Sequence, residues 1–237
     1  MKKIHIVIML IALIGAGTGG CFTLLEPTGD VREPIEPMNE KIKLPEPKYD
    51  SNTSVEQALL ERRSVRAYKK VPLTLDEVSQ LLWAGQGITD YGSKFRTAPS
   101  AGALYPLDVY IAIGTVEGVA KGVYKYRPRK HELMKVSNGD VRNELASAAL
   151  GQSCVRESAI VMVFSAVYER TTQKYGNRGI KYVHMEAGHA AQNVYLQAVS
   201  LNLGMVVVGA FRDEEIRKIL NMSDNERPLY IVPVGKM

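Results

Sequence analysis

The sequence EAGHAAQNVYLQAVSLNLGMVVVGAF (residues 186–211) joins a helical pattern of small and apolar residues to a β-branched run. Apolar side chains recur at helical spacing over about residues 181–203, and Asn202 and Gly204 are typical of a helix end. The small residues of this helix favour tight packing, either in the core or at a dimer seam. The β-branched run then predicts a short strand at Met205–Gly209.

The segments outside this stretch alternate between helical and strand patterns, which predicts an α+β or α/β class with helices around one sheet. The alternation in Leu107–Gly114 predicts a strand buried on one face, and the apolar run Ala159–Val167 predicts a central strand buried on both faces. The remaining predicted elements are helices opened by Ser54, Thr74 and Asp213, a helix over Asn143–Ala149, a hairpin turning at Arg127–Lys130, and a strand at Leu229–Val234.

Length and composition limit the possible functions. The 237 residues suffice for one well-buried domain, and 46% apolar with 23% charged residues is ordinary for a globular protein. The net charge of +5 is too small to favour nucleic-acid binding, particularly because Lys2 and Lys3 belong to a segment expected to be removed. Two cysteines, Cys21 and Cys154, exclude a disulfide framework, and the scattered histidines predict no metal site.

Residues 1–20 have the pattern of a secretory signal peptide, with two lysines, a short apolar run and small residues before Cys21. The order Gly19, Gly20, Cys21 resembles the lipobox of prokaryotic lipoproteins, in which the cysteine is lipidated, although Thr18 stands where an aliphatic residue is usual. The alternative is an uncut membrane anchor. Both interpretations place the domain outside the cytoplasm and tether it to a membrane.

The segment that follows has no apolar periodicity. Residues 21–50 are rich in prolines and charges, which predicts an extended tether. We therefore expect one folded domain over residues 51–237, and we find no internal repeat in it.

The sequence RRSVRAY (Arg62–Tyr68) places three arginines and a serine within five residues, with Glu61 as the only close acid. In an extended chain Arg62, Ser64 and Arg66 point the same way, and in a helix Arg62 and Arg66 still share a face. Two guanidinium groups with a hydroxyl between them suit a phosphate, since arginine binds phosphate oxygens bidentately. The pattern alone leaves two interpretations open, an anion site or the basic end of a helix.

Two further segments place small residues next to predicted strands. Pro99–Ala103 is a small-residue turn just before the strand at Leu107, where backbone amides could approach a flat ligand closely. Gly209 and Ala210 end another strand, and Lys236 places a cation at the end of the sequence. Each of these features is a weak signal by itself.

Together, these segments resemble the nitroreductase superfamily of FMN-dependent oxidoreductases, and more closely its SagB-type branch, which includes azoline dehydrogenases. The resemblance rests on RRSVRAY, APSAGALYPLDVYI, EAGHAAQNVYLQAVSLNLG with VVVGAF, and IVPVGK, which occur in the family's order over about Val55 to Lys236. It implies a nitroreductase-like α+β fold with a central mixed sheet surrounded by helices. It also implies an intertwined homodimer that binds FMN at its interface.

The resemblance further implies which residues bind the cofactor. The arginine segment and the terminal lysine would hold the phosphate and ribityl chain, and the small-residue turn would come from the partner subunit to line the flavin ring. The second strand end would lie along the ring's other side, where a backbone amide can bond the flavin near N5. In chain order these residues are Arg62, Arg63, Ser64 and Arg66; Pro99, Ser100 and Ala101; Val207, Val208, Gly209 and Ala210; and Lys236.

The reaction implied by the resemblance is ping-pong electron transfer through FMN, from NAD(P)H or another donor to an unidentified small-molecule substrate. Ala103 and Leu104 stand where many nitroreductases have a polar residue, and the helical excursion that covers the substrate is short, so nitroaromatic substrates are not predicted. An extracytoplasmic location would favour a membrane quinol or a redox partner as donor. The alternatives are an azoline-type peptide dehydrogenase and a flavin-binding lipoprotein without turnover. No side chain is predicted to be catalytic.

Overall fold

The computed structural model describes residues 40–237. The predicted signal peptide, Cys21 and the first part of the predicted tether lie outside the described residues. Between residues 40 and 237, no helix is both long and apolar enough to cross a membrane.

A seven-stranded sheet forms the centre of the domain, in the order β1-β6-β5-β4-β7-β9-β8, and β2 and β3 form a separate ribbon. Every neighbouring pair in the larger sheet is antiparallel, so the expectation of a mixed sheet is wrong for the described residues. Short connections join β4, β5 and β6, and strands joined in this way pair antiparallel. The strands are β1 (Lys41–Lys43), β2 (Ile88–Asp90), β3 (Phe95–Arg96), β4 (Leu107–Ile113), β5 (Gly122–Arg127), β6 (Glu132–Asn138), β7 (Ile160–Val167), β8 (Leu203–Met205) and β9 (Glu226–Lys236).

Helices cover both faces of this sheet, which confirms the α+β class. The helices are α1 (Val55–Glu61), α2 (Leu75–Gln86), α3 (Arg142–Ala148), α4 (Ser153–Glu157), α5 (Glu169–Tyr175), α6 (Arg178–Ser200) and α7 (Asp213–Ile219). One apolar core joins α2 and α6 to one sheet face, and a second joins α3, α4 and α7 to the other. Because this second layer buries Tyr110 and Ala112, the prediction that β4 is buried on only one face is wrong.

The first described residues belong to the fold rather than to the predicted tether. Lys41–Lys43 pair antiparallel with β6. The buried His131 anchors the chain that follows, because its Nε2 lies 2.9 Å from the Pro45 carbonyl oxygen and 2.7 Å from Ser79 Oγ. The domain therefore begins no later than Lys41, which corrects the expected boundary at residue 51. The sequence did not predict this start, because neither main-chain strand pairing nor a single buried histidine produces a periodic pattern of apolar residues.

The long helix α6 carries the segments that matter for the site. It begins at Arg178 and ends at Ser200, earlier at both ends than predicted. The strand predicted at Met205–Gly209 is replaced by β8 and a single bridge between Val208 and Ile231. Between them the Val207 N–H donates to a side chain of α6 instead of to β9, which explains the break in pairing.

Candidate functional site

The arginine segment runs in extended conformation beside the C-terminal strand. It follows α1, whose end is marked by the Arg62 N–H donating to the Ala58 carbonyl. The Val65 N–H then donates to the Met205 carbonyl at 2.8 Å, and the Lys69 N–H donates to the Lys236 carbonyl at 2.9 Å. These bonds hold the segment against β8 and β9, so Arg62 caps the end of α1 and the residues after it belong to an extended segment.

The three arginines of this segment have no carboxylate partner among the described residues. Arg63 donates to the Leu60 and Arg62 carbonyls at 2.9 and 2.8 Å, and the Arg66 side chain is exposed. Glu61, the nearest acid in sequence, accepts a bond from Gln57 instead. Uncompensated guanidinium groups at one place on a surface suit a phosphate, so these residues fit an anionic cofactor.

Tyr195 of α6 connects two of the predicted cofactor-binding segments. Its hydroxyl lies 3.0 Å from Ser64 Oγ and accepts a 3.0 Å bond from the Val207 N–H. The Arg62 guanidinium lies 5.0 Å from the centre of the Tyr195 ring, within the range of a cation–π contact. In the sequence, Tyr195 falls among the apolar positions at helical spacing. Its hydroxyl signals a polar role, because a buried tyrosine O–H usually finds a partner.

The other predicted residues on this side are placed as follows. Gly209 and Ala210 are exposed directly after Val208, at the edge of the sheet. The Lys236 ammonium forms an ion pair with Glu77 of α2, so in this structure it is engaged by a carboxylate. The main chain of Lys236 lies beside the arginine segment, whereas its side chain is paired with Glu77.

The turn Pro99–Ala103 is held in an unusual backbone conformation. Gly102, Ala103 and Tyr105 all have positive φ, at 63°, 53° and 49°. For alanine and tyrosine this region is sparsely populated, and such residues concentrate at functional sites. Ser100 stabilises the turn, since its Oγ accepts a 2.9 Å bond from the Tyr105 N–H. A side chain at Gly102 would meet the Tyr175 hydroxyl at 2.7 Å, so the turn also packs closely on α5.

Four polar residues lie near this turn. Glu186 of α6 and Gln86 of α2 are buried, whereas Arg96 of β3 and Ser100 are half-buried. The Arg96 guanidinium donates to Gln86 Oε1 at 2.6 Å and stacks 4.5 Å from the Tyr105 ring centre. Burial raises the pKa of Glu186 to about 7, against smaller lowering effects from the Ser100 hydroxyl and the Arg96 charge. Sequence reasoning did not identify Glu186, Arg96 or Gln86 as site residues.

The structure therefore brings the predicted residues together as two groups rather than one. We call Arg62–Arg66, Tyr195 and Val207 the arginine side, and Ser100 with Gln86, Arg96 and Glu186 the carboxyl side. The Ser100 hydroxyl lowers the pKa of Glu186 on α6, and Ser64 lies against Tyr195, nine residues further, which is about 13 Å along a helix. Among residues 40–237, no hydrogen bond or ion pair joins Pro99–Ala101 to the arginine segment.

Comparison with known proteins agrees with this architecture. Residues 59–236 match the Nitroreductase family. The chain belongs to this family. MJ1384 of Methanocaldococcus jannaschii, which is named as a nitroreductase, is 50% identical over 208 residues, covering 88% of this chain and 98% of that protein. The family confirms that the protein is an oxidoreductase.

Two solved structures share the nitroreductase-like fold. A nitroreductase-family structure from Ralstonia eutropha JMP134 is 28% identical, with a TM-score of 0.74, and the match covers 85% of this chain and 91% of the other. A chain of the Escherichia coli microcin synthetase McbBCD complex, solved with truncated pro-MccB17 bound, is 25% identical with a TM-score of 0.65, covering 80% of this chain and 75% of the other. The second likeness agrees with the SagB-type branch.

Proposed function

We propose that this protein is an FMN-dependent oxidoreductase that passes electrons by a ping-pong mechanism from NAD(P)H or another donor to a small-molecule substrate. The observation that supports this proposal is the set of arginines without a carboxylate partner. Tyr195 connects their segment to the main chain at Val207, because it contacts Arg62 and Ser64 and accepts from the Val207 N–H. Arg62, Arg63, Ser64 and Arg66 would hold the phosphate and ribityl chain. Val207–Ala210 would lie along the flavin ring, which supplies the hydride chemistry when it is bound.

We propose that the protein works as a homodimer, as the family resemblance implies, with Pro99, Ser100 and Ala101 contributed by the partner subunit. The exposed apolar residues of α1 agree with an interface, since Val55, Leu59 and Leu60 are 64%, 55% and 73% exposed. Size-exclusion chromatography with light scattering tests this assignment, and a purely monomeric holoprotein would contradict it.

Lys236 is proposed to complete the phosphate site only by leaving Glu77. On flavin binding, the Lys236 ammonium would exchange the Glu77 carboxylate for the FMN phosphate. A Glu77→Gln variant should bind FMN at least as tightly as the wild type, as measured by fluorescence titration. Weaker binding would show that Lys236 does not contact the phosphate.

The decisive experiment is a visible spectrum of the purified full-length protein, followed by anaerobic titration with NADH, NADPH and a quinol. We expect flavin absorption bands that bleach with at least one donor and recover with an oxidising substrate. Colourless protein after purification with added FMN would reject the flavin assignment. A flavin that no donor reduces would favour the alternative of a flavin-binding protein without turnover.

The extracytoplasmic location remains part of this proposal. The signal-like segment at residues 1–20 and Cys21 motivate it, and a membrane-tethered enzyme would draw on a quinol or redox partner. Cell fractionation with detection of a lipid-modified Cys21 tests it. Mature protein in the cytosolic fraction would remove the argument for a quinol donor.

A second candidate is an azoline-type peptide dehydrogenase, which the likeness to the McbBCD chain favours. This candidate keeps the flavin site and changes the substrate to a heterocycle within a peptide. Incubation with a short thiazoline-containing peptide and mass spectrometry separate the two functions. Loss of two hydrogens from the peptide would support the dehydrogenase, whereas an unchanged peptide with an active flavin would favour a small-molecule substrate.

A further inference from the structure

The junction between α5 and α6 is a basic part of the surface. The segment Arg170–Tyr182 contains four basic residues and no acidic one. Arg170 is paired with a carboxylate of β4 at 3.0 Å. Lys174, Arg178 and Lys181 are exposed and form no ion pair within residues 40–237. Protein surfaces usually intersperse both signs of charge, so three neighbouring cations without an acid favour an anionic ligand.

Two tyrosines connect these cations. The Tyr175 and Tyr182 rings meet edge to face, with their centres 5.2 Å apart. The Lys174 ammonium lies 5.4 Å from the centre of the first ring, and the Arg178 guanidinium lies 5.7 Å from the centre of the second, which are cation–π distances. Neither tyrosine hydroxyl has a hydrogen-bond partner among the described residues, so both O–H groups remain available as donors. We call these four residues, together with Lys181, the basic corner.

The basic corner borders the turn Pro99–Ala103. A β-carbon at Gly102 would lie 2.7 Å from the Tyr175 hydroxyl oxygen and 3.0 Å from the Lys174 ammonium nitrogen, and Gly102 itself is exposed. Because Pro99–Ala101 are proposed to line the flavin ring, a molecule that lies against the ring can extend over Gly102. It then has a cation and an O–H donor within reach.

We propose that the basic corner is an anion subsite, which binds a carboxylate, sulfonate or phosphate group on the electron acceptor that the flavin reduces. Lysine and arginine bind such groups through charge-assisted hydrogen bonds, and a tyrosine O–H adds a neutral donor. This inference rests on the proposed function. It narrows the substrate to a compact molecule that has a flat reducible group and a negative charge close to it.

The short distance between the turn and Lys174 favours such an acceptor over the nucleotide donor. In NAD(P)H a ribose separates the nicotinamide ring from the nearest phosphate, whereas the Lys174 ammonium lies directly against the turn. A carboxylate or sulfonate bonded to the reducible ring reaches this ammonium. Arg178 and Lys181, further along the same surface, raise the local concentration of anions through their charge.

The first test measures binding without turnover. Naphthalenesulfonate and its uncharged analogue naphthalenesulfonamide are titrated by calorimetry into full-length protein, with and without FMN. The wild type should prefer the sulfonate, and this preference should fall as salt rises because salt screens exposed charges. The variant Lys174→Ala with Arg178→Ala should bind the sulfonate about tenfold more weakly and the sulfonamide unchanged. Equal changes for the two ligands, or no change for either, would overturn the anion subsite.

Two further variants separate this site from net charge. Lys41→Ala with Lys218→Ala removes two exposed cations on β1 and α7, and it should keep the wild-type preference for the sulfonate. Lys174→Arg with Arg178→Lys retains both charges of the basic corner and should also keep it. A loss of the same size in the first of these variants would mean that the basic corner is not a site.

The second test compares two electron acceptors, naphthoquinone and naphthoquinone sulfonate, each of which gains two electrons and two protons on reduction. Donor-reduced, flavin-loaded protein is mixed with each acceptor, and flavin reoxidation is followed against acceptor concentration. Lys174→Ala with Arg178→Ala should need about tenfold more of the sulfonate for half-maximal rate, with no change for the uncharged quinone. Reduction of the flavin by the donor should not change.

The outcomes separate the two proposals. Wild-type protein that binds no flavin rejects the proposed function, whereas sulfonate binding by the flavin-free protein still tests the basic corner. Wild-type protein that turns over, with the same acceptor preference in the variant, rejects the anion subsite alone. A variant slowed only in reduction by NAD(P)H would assign the basic corner to the donor's phosphates and overturn the proposal. Lost binding to anionic phospholipid vesicles with unchanged acceptor preference would also overturn it, in favour of a membrane surface.

Discussion

The two sides of the candidate site differ in how their polar groups are buried and hydrogen-bonded. On the arginine side, Ser64, Tyr195 and the Val207 N–H are bonded to one another, and the unpaired charges lie at the surface. On the carboxyl side, Glu186 is buried and Arg96 is half-buried, and one polar atom of each lacks a hydrogen-bond partner. Exposed cations cost the fold little and attract an anion from solution, whereas a buried carboxyl costs stability and changes its chemistry. We therefore expect the arginine side to anchor an anionic cofactor and the carboxyl side to make stability depend on pH.

The largest expected effect is on the arginine side. Each charge-assisted bond to a phosphate contributes about 1.5–3 kcal/mol, so the variant Arg62→Ala with Arg66→Ala should weaken FMN binding by roughly 10²–10⁴-fold. Apoprotein stability should change little, because both side chains are at least partly exposed. Isothermal titration with FMN measures the loss. The matched control is Arg127→Ala with Arg129→Ala on the distant hairpin, and equal losses in both variants would mean that only net charge matters.

The next effect belongs to the carboxyl side and concerns stability against pH. Because the pKa of Glu186 is raised to about 7 in the folded protein, unfolding releases its proton between about pH 4.5 and 7, and stability falls as pH rises through that window. The loss is on the order of 3 kcal/mol, from about 1.4 kcal/mol per pKa unit. Urea unfolding of wild type and Glu186→Gln measures it. The difference between the two proteins should change with pH across this window, and a constant difference would contradict the raised pKa.

A smaller effect is expected when the link on the arginine side is removed. Tyr195→Phe deletes the hydroxyl that accepts from the Val207 N–H, which should lower the free energy of unfolding by about 1–2 kcal/mol and weaken FMN binding by about tenfold. Thermal unfolding and flavin titration measure both quantities. Tyr91→Phe, at a 65% exposed position, is the control. Unchanged flavin binding in Tyr195→Phe would show that Val207 is positioned by the sheet alone.

The smallest effect tests the packing of the turn on the carboxyl side. Gly102→Ala and Gly118→Ala both place a side chain at positive φ, 63° and 70°, which costs about 1 kcal/mol. The methyl group that alanine adds at position 102 would also meet the Tyr175 hydroxyl, whereas nothing lies within 4 Å of a methyl group added at position 118. We expect Gly102→Ala to be the less stable of the two by several tenths of a kcal/mol, from chemical denaturation. Equal losses would mean that the turn is loosely packed on α5.

Elements with strong local signals were predicted correctly. The run Ala159–Val167 forms the fully buried strand β7, and the hairpin around Arg127–Lys130 joins β5 to β6. Thr74 opens α2 as predicted, through a capping box with Glu77. These features depend on residues close in sequence, so a pattern of a few residues contains the necessary information.

Features that depend on distant residues were missed. The sequence did not predict that Lys41–Lys43 pair with β6, nor that a second helical layer buries the outer face of β4. On the site itself, the arginines were predicted from their spacing and the flavin from the family resemblance. Tyr195 and Glu186 were not, because their roles come from contacts that side-chain periodicity does not encode.

The sequence by itself determined the α+β class, the long small-residue helix, the cluster of arginines and the family. The tertiary structure decided which of those residues meet. It joined Ser64 to Tyr195 across 131 positions of the chain and buried the Glu186 carboxyl of α6. It also separated the two sides along one helix. The physical reason is that charge and periodicity belong to a residue and its neighbours in sequence, whereas burial and hydrogen-bond partners exist only after the chain has packed.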